Sequence, residues 1–217
     1  MSNEENIVEA QRARARLKVA EFDHAEWMRA RPVRLARYWS GAPAPFERQA
    51  EARLLWDDEG LCVRFVCEQG EPLVASASPE RGWKTVGLWE RDVCELFVAP
   101  RADDPSRYFE FEVAPTGEWL DLAVRVGLFG RETDWGFYSG MTAAARISTD
   151  SFAAAIRVPW DAFGIDSPPR AGERWRANLF RCVGAGETRG YVAWLPTLTP
   201  DPNFHVPEKF GWLHFAV

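Results

Sequence analysis

Asp92-Val93-Cys94-Glu95-Leu96-Phe97-Val98, followed after a polar turn by Tyr108-Phe109-Glu110-Phe111-Glu112-Val113, is the passage on which the fold turns. Both runs alternate with period two, the mark of extended strands. Val93, Glu95 and Phe97 fall on one face of the first run, and Asp92, Cys94, Leu96 and Val98 on the other. In the second, Phe109, Phe111 and Val113 alternate with Tyr108, Glu110 and Glu112. Two such runs around Pro100 to Pro105 read as antiparallel neighbours. Glu95 is the misfit. A carboxylate between Val93 and Phe97 on an apolar face is costly unless it is hydrogen-bonded or opens on a site. Just ahead of the strand, Trp89 offers a flat apolar ring with one N–H donor, a surface suited to a ligand.

Outward from this pair the pattern repeats. Ala50 to Trp56 and Leu61 to Glu68 bracket the turn cluster Asp57-Asp58-Glu59-Gly60, which predicts a hairpin. Met141 to Ile147 and Phe152 to Val158 predict another around Ser148-Thr149-Asp150. Leu17 to Phe22, Glu118 to Val126, Trp175 to Val183, Tyr191 to Trp194 and Trp212 to Val217 read as further strands. Residues 69–88 and the Gly-rich stretch through Gly140 read as long loops, where function tends to reside. Pro159 to Phe163 permits about one helical turn. The expected fold is all-β: an antiparallel β-sandwich of two sheets, jelly-roll or immunoglobulin-like, with long loops and at most short helices. Residues 1–16 are expected to be a flexible or helical tail, and residues 17–217 a single domain.

The chain has 217 residues with 47% hydrophobic content, enough to bury a proper core. A net charge of −6 argues against nucleic acid and against an anionic membrane as partners. Cys62, Cys67, Cys94 and Cys182 sit in apolar runs without metal-ligand spacing and read as buried free thiols. The N-terminal stretch is charged and has no apolar core of a signal peptide, so the expectation is a cytoplasmic protein, with secretion left open by a start site placed too far downstream. Of the eleven tryptophans, Trp56, Trp119, Trp175 and Trp212 lie in or beside strands and read as core, while Trp83, Trp89, Trp135 and Trp194 fall in loops or at strand ends.

Trp89-Glu90-Arg91-Asp92-Val93-Cys94-Glu95-Leu96-Phe97, the strand after it, Val158-Pro159-Trp160, Arg176-Ala177-Asn178, Ala193-Trp194 and Phe204-His205-Val206-Pro207-Glu208-Lys209-Phe210-Gly211 together resemble carbohydrate-binding module family 9. The resemblance implies a noncatalytic β-sandwich that grips a mono- or oligosaccharide end between two aromatic rings. It implies no required cofactor, a structural calcium in many members, and service beside a glycan-degrading enzyme. On this sequence Trp89 matches the first ring, Phe204 the second, and Glu95 the hydroxyl-binding carboxylate. Asn178 matches an amide of the pattern, His205 stands beside Phe204 as a donor, and Trp194 either lines the site or packs beneath it. Glu112 and Phe180 depart from it, occupying the places of an arginine and a glutamine; Asp92 and Glu68 fall near its calcium positions.

Three competing functions follow from the same residues. A glycosidase would pair Glu95 with Glu112, or Glu110 with Asp121, as acid and base. A haem protein would draw ligands from His24, His205, His214, Met28 and Met141. A scaffold domain would keep the sandwich and lose the sugar.

Overall fold

The computed structural model describes residues 6–217. Short apolar alternations punctuated by Gly, Asp and Pro turns become fourteen strands: β1 (Ile7–Arg12), β2 (Val33–Leu35), β3 (Arg37–Tyr38), β4 (Ala50–Trp56), β5 (Gly60–Glu68), β6 (Val93–Ala99), β7 (Arg107–Val113), β8 (Trp119–Gly127), β9 (Gly130–Asp134), β10 (Thr142–Ile147), β11 (Ser151–Pro159), β12 (Arg174–Val183), β13 (Gly190–Ala193) and β14 (Gly211–Ala216). Helical structure among the described residues is confined to 3₁₀ turns, including the expected one at Trp160–Phe163. Among the described residues no helix is long and apolar enough to cross a membrane.

The strands run in the order β10-β11-β5-β4-β1-β14-β12-β6-β7-β8-β9, and the sheet doubles over so that its two halves face each other. Leu54, Phe65, Phe152 and Ile156 from the first half meet Leu96, Phe111, Leu179 and Phe215 from the second in the main core. Trp56, Trp175, Trp160 and Phe215 close one end of it with edge-to-face ring contacts, an arrangement that suits the aromatic quadrupole. The four cysteines are free and buried, with Cys67 and Cys94 facing each other across the layers at 3.2 Å between sulfurs.

Two expectations are corrected. Of the tail placed at residues 1–16, Met1 to Glu5 lie outside the described residues, but Ile7–Arg12 is a strand, with Val8 and Ala10 fully buried. It pairs in parallel with β14 on one side and β4 on the other, so it joins the two halves and the sandwich is not wholly antiparallel. Leu17 to Phe22 is not a strand: Leu17 packs with Trp27, Leu55 and Cys62, and Phe22 with Ala153 and Ala155, so the segment covers the outer face of the first layer. Its charged Lys18 and Glu21 have no place inside a sheet.

A second, smaller core lies on the outer face of β12, β6, β7 and β8, built from Phe97, Tyr108, Leu120, Leu122, Phe180, Phe204 and Phe210. The alternation read in the central runs separates the two cores: Cys94, Leu96 and Val98 enter the first, Val93 and Phe97 the second. Arg181, fully buried at the opposite side of β12, donates to the Gln49 carbonyl at 2.7 Å and to Gln69 Oε1 at 2.6 Å, so its charge is spent on structure.

Candidate functional site

The smaller core is left open on one side, and the opening is a cavity of about 600 Å³, well within the range of small-molecule sites. Glu95 of β6 and Glu110 of β7 form its floor, Trp89, Trp135, Tyr191 and Phe204 its aromatic lining, and Arg131, Arg189 and His205 its basic groups. Four of the residues picked from sequence therefore meet here: Trp89, Glu95, Phe204 and His205.

Trp89 sits on a 3₁₀ turn (Leu88–Glu90) that Gly87 enters at φ 82°, a left-handed value that favours glycine. The turn is pinned by Arg189, whose guanidinium donates to the carbonyls of Trp89, of Arg91 at 2.7 Å and of Gly184 at 2.6 Å. Trp89 is partly exposed and meets Trp135 at 6.0 Å between ring centres with a 46° tilt. A sugar held flat between parallel rings needs about 7–8 Å, two van der Waals spacings, so these two rings form one wall rather than a slot. Phe204 is only 7% exposed because one of its faces lies on Phe180, 4.0 Å away and 11° from parallel. The phenylalanine at position 180 thus supports the ring at 204.

Register explains the acids. Glu95 stands opposite Glu112 across β6 and β7, with Glu110 one step along the same face opposite Phe97. All three are buried, and one carboxylate oxygen from each lies within 4.8 Å of the others. Glu112 does not line the cavity but backs its floor. Burial and the neighbouring Glu110 push the Glu95 carboxyl up to about 8; burial pushes Glu110 up to about 7 and, with Glu95 and Glu110 beside it, Glu112 well above the ordinary range. At neutral pH the protonated Glu95 carboxyl can both donate to and accept from a hydroxyl. His205 Nδ1 is hydrogen-bonded with the Tyr108 hydroxyl at 2.7 Å, and burial with the Arg131 charge lowers its pKa to about 3.

These shifts act on stability in opposite directions. The carboxyls titrate higher in the folded chain than in the unfolded one, so stability is lost as pH rises from the ordinary carboxylate range through about 7 and 8. His205 titrates lower in the fold, so stability is lost as pH falls from about 6.5 through about 3. Because three carboxyls outweigh one imidazole, thermal melts across pH are expected to peak near ~pH 4.5, where the carboxyls begin to ionise in the unfolded chain, and to fall on both sides. Glu112→Gln should flatten the alkaline limb and His205→Gln the acid limb; a profile unchanged by both would refute this assignment.

Most of the remaining candidates lie outside the cavity. Asn178 is fully buried, and its side chain donates to the Leu195 carbonyl at 2.9 Å and accepts from the Leu195 amide at 3.2 Å, clamping the loop after β13. Trp194 packs against the main core, beneath the site rather than in it. Asp121 lies on the face of β8 opposite to Glu110, held by Lys84 at 2.7 Å and by Ser139. Asp92 accepts from the amides of Gly184 and Val74 and from Gln69, which fills both oxygens with N–H donors and does not fit a calcium site with Glu68. Of the residues considered for haem, only His205 reaches the cavity. Missed from sequence were Arg131, Arg189, Tyr191 and Asn203, which arrive from hairpins and loops without a local pattern. Trp135 and Glu110 were visible as a loop ring and a strand acid.

The chain matches the family described as "Carbohydrate-binding family 9" over residues 39–215. A protein of Arthroderma benhamiae described as "Extracellular protein" is 31% identical over 180 residues, covering 77% of this chain and 79% of that one. Among solved structures, a putative carbohydrate-binding protein from Bacteroides uniformis is similar with a TM-score of 0.75 and 19% identity, over 97% of this chain and 99% of that one. A family 9 module from Caldicellulosiruptor kristjanssonii in complex with cellotriose is similar with a TM-score of 0.64 and 17% identity, over 97% and 93%. At these identities the structural likeness is one of fold.

Proposed function

The chain belongs to carbohydrate-binding family 9, and from that premise we propose that it is a noncatalytic module whose cavity receives a mono- or oligosaccharide end. A pyranose presents C–H bonds to the wall formed by Trp89 and Trp135 and its edge to Phe204, while its hydroxyls meet Glu95 and His205. The observation that carries the reading is the junction of a partly exposed tryptophan wall with buried carboxyls in one cavity. Apolar rings alone would suit any greasy ligand. Rings beside hydroxyl-pairing groups suit a sugar, which needs both at once.

A noncatalytic role is supported by the placement of the acids. Glu95, Glu110 and Glu112 lie side by side on adjacent strands with oxygens within 4.8 Å. A glycosidase pair instead flanks the scissile bond, one carboxyl to either side, whereas these three crowd one face of two neighbouring strands. The complexes of the Caldicellulosiruptor module, with cellotriose and with glucose, make those sugars the first ligands to try. Calorimetry with glucose, cellobiose and cellotriose is expected to give saturable binding at millimolar or lower concentration, with the sugar recovered intact. Absence of binding across neutral and charged oligosaccharides would replace this reading with that of an interaction domain; released product would replace it with an enzyme.

A further inference from the structure

The cavity floor poses a problem that hydroxyls alone do not solve. Among the described residues, no donor reaches either oxygen of Glu112 or the Oε2 oxygen of Glu110. Glu112 is fully buried, and Glu95 and Glu110 are 2% and 3% exposed. Of the basic groups in the cavity, Arg189 donates to three backbone carbonyls, His205 Nδ1 lies 3.9 Å from Glu110 Oε2, and Arg131 acts on Glu110 through its charge but donates to no buried oxygen of Glu110 or Glu112. Cys182 Sγ donates to Glu95 Oε1 at 3.4 Å, but the buried Glu110 and Glu112 oxygens without a donor are unfavourable unless something completes them.

The geometry says what would fit. For three oxygens within 4.8 Å of one another there is always a point no more than ~2.8 Å from all of them, close to the ~2.3–2.6 Å of a calcium–oxygen shell. Every ligand atom is a carboxylate oxygen, which suits a hard cation rather than zinc or copper. Magnesium wants ~2.0–2.1 Å and a strict octahedron, a demand that three carboxylates on two adjacent strands meet less readily than the looser calcium shell. The point lies below nearly closed surfaces, and a bare ion is a smaller object to seat there than an ammonium carried on a sugar ring.

We infer that Glu95, Glu110 and Glu112 form a calcium-type site at the floor of the cavity, with the ion's free positions turned toward the opening and filled by ligand hydroxyls. The last clause rests on the sugar-binding reading; the ion site itself does not. It also gives Glu112 a purpose: closing the ion's shell from behind.

The test uses the full chain, stripped with chelator and dialysed near neutral pH. Calcium calorimetry should show one ion per chain and a raised melting temperature, and terbium should give emission sensitised by Trp89 and Trp135 that calcium displaces. Glu110→Gln and Glu112→Gln should each weaken calcium by about tenfold or more while keeping the wild-type circular dichroism spectrum. Should either variant misfold, the wild-type shift with calcium against magnesium decides alone. Sugar affinity should fall when calcium is withdrawn. No calcium binding at millimolar concentration, with sugar binding intact, overturns the inference and leaves the proposed function standing. Full calcium binding with no sugar bound does the reverse for the ion site and the function. Tighter binding of glucosamine than glucose by the stripped protein overturns the ion in favour of an ammonium.

Discussion

A chain beginning at Ala13 is expected to lose the cooperative thermal transition of the full protein. β1 makes five register pairs with β14 and three with β4, and it stands between the two halves of the sheet. Taking it away exposes the facing edges of β4 and β14 together, leaving two rows of unpaired amides and carbonyls. Val8 and Ala10 also leave a gap in the main core. Burial of the valine alone is worth ~1.5–3 kcal/mol and each lost ladder bond ~0.5–1.5 kcal/mol, against a typical total stability of ~5–15 kcal/mol. Circular dichroism melts and gel filtration would show a broad, low transition and association through the open edges. The point variant Val8→Asp should go the same way, because it places an unpaired charge in the core. A truncated chain that melts as sharply and as high as the original would mean that β1 only decorates the sandwich.

Trp89→Ala is expected to remove most of the sugar affinity while leaving the fold alone. Anchoring tryptophans commonly contribute ~2 kcal/mol or more to binding, about a thirtyfold loss. Trp89 is partly exposed at the cavity wall and holds no element of the sheet together, so the melting temperature should move little. Trp89→Phe should fall between, keeping a smaller ring. Trp83, 79% exposed and away from the cavity, is the matched control: its alanine variant should bind as the wild type does. Calorimetry with one sugar on all four proteins decides it, and equal affinities for wild type and Trp89→Ala would move the site elsewhere.

What the sequence made legible follows from where the information sits. The alternation in Val93–Ala99 and Arg107–Val113 is local, and it sorted side chains between the two cores correctly, including the acids on the cavity face. The hairpins of β4 with β5 and β10 with β11 were equally local, turn chemistry included. β1 was misread because Ile7–Arg12 carries only two buried side chains among charged and polar ones; what makes it a strand is supplied by partners at residues 54–56 and 212–216. β9, Gly130–Asp134, has no apolar face at all and is held by its ladder to β8. The site divided the same way. Trp89, Glu95, Phe204 and His205 stand in contiguous patterned blocks, whereas Arg131 and Arg189 are brought in by a hairpin and a loop. That Glu112 lies fully buried with no donor is a property of three strands together, and no single segment states it.

The pairing of β1 with β14 spans about 200 residues of chain, and such distant contacts set the pace of folding through the loops that must close first. Each half of the sheet can gather its own hairpins as they leave the ribosome, but the strand that joins them waits, unpaired on one side, until β14 has been made. Until then its partner edges are open to other chains. The growing chain should therefore draw on chaperones until β14 emerges, and a nascent chain halted before Gly211 should remain open to protease attack at Ile7–Arg12.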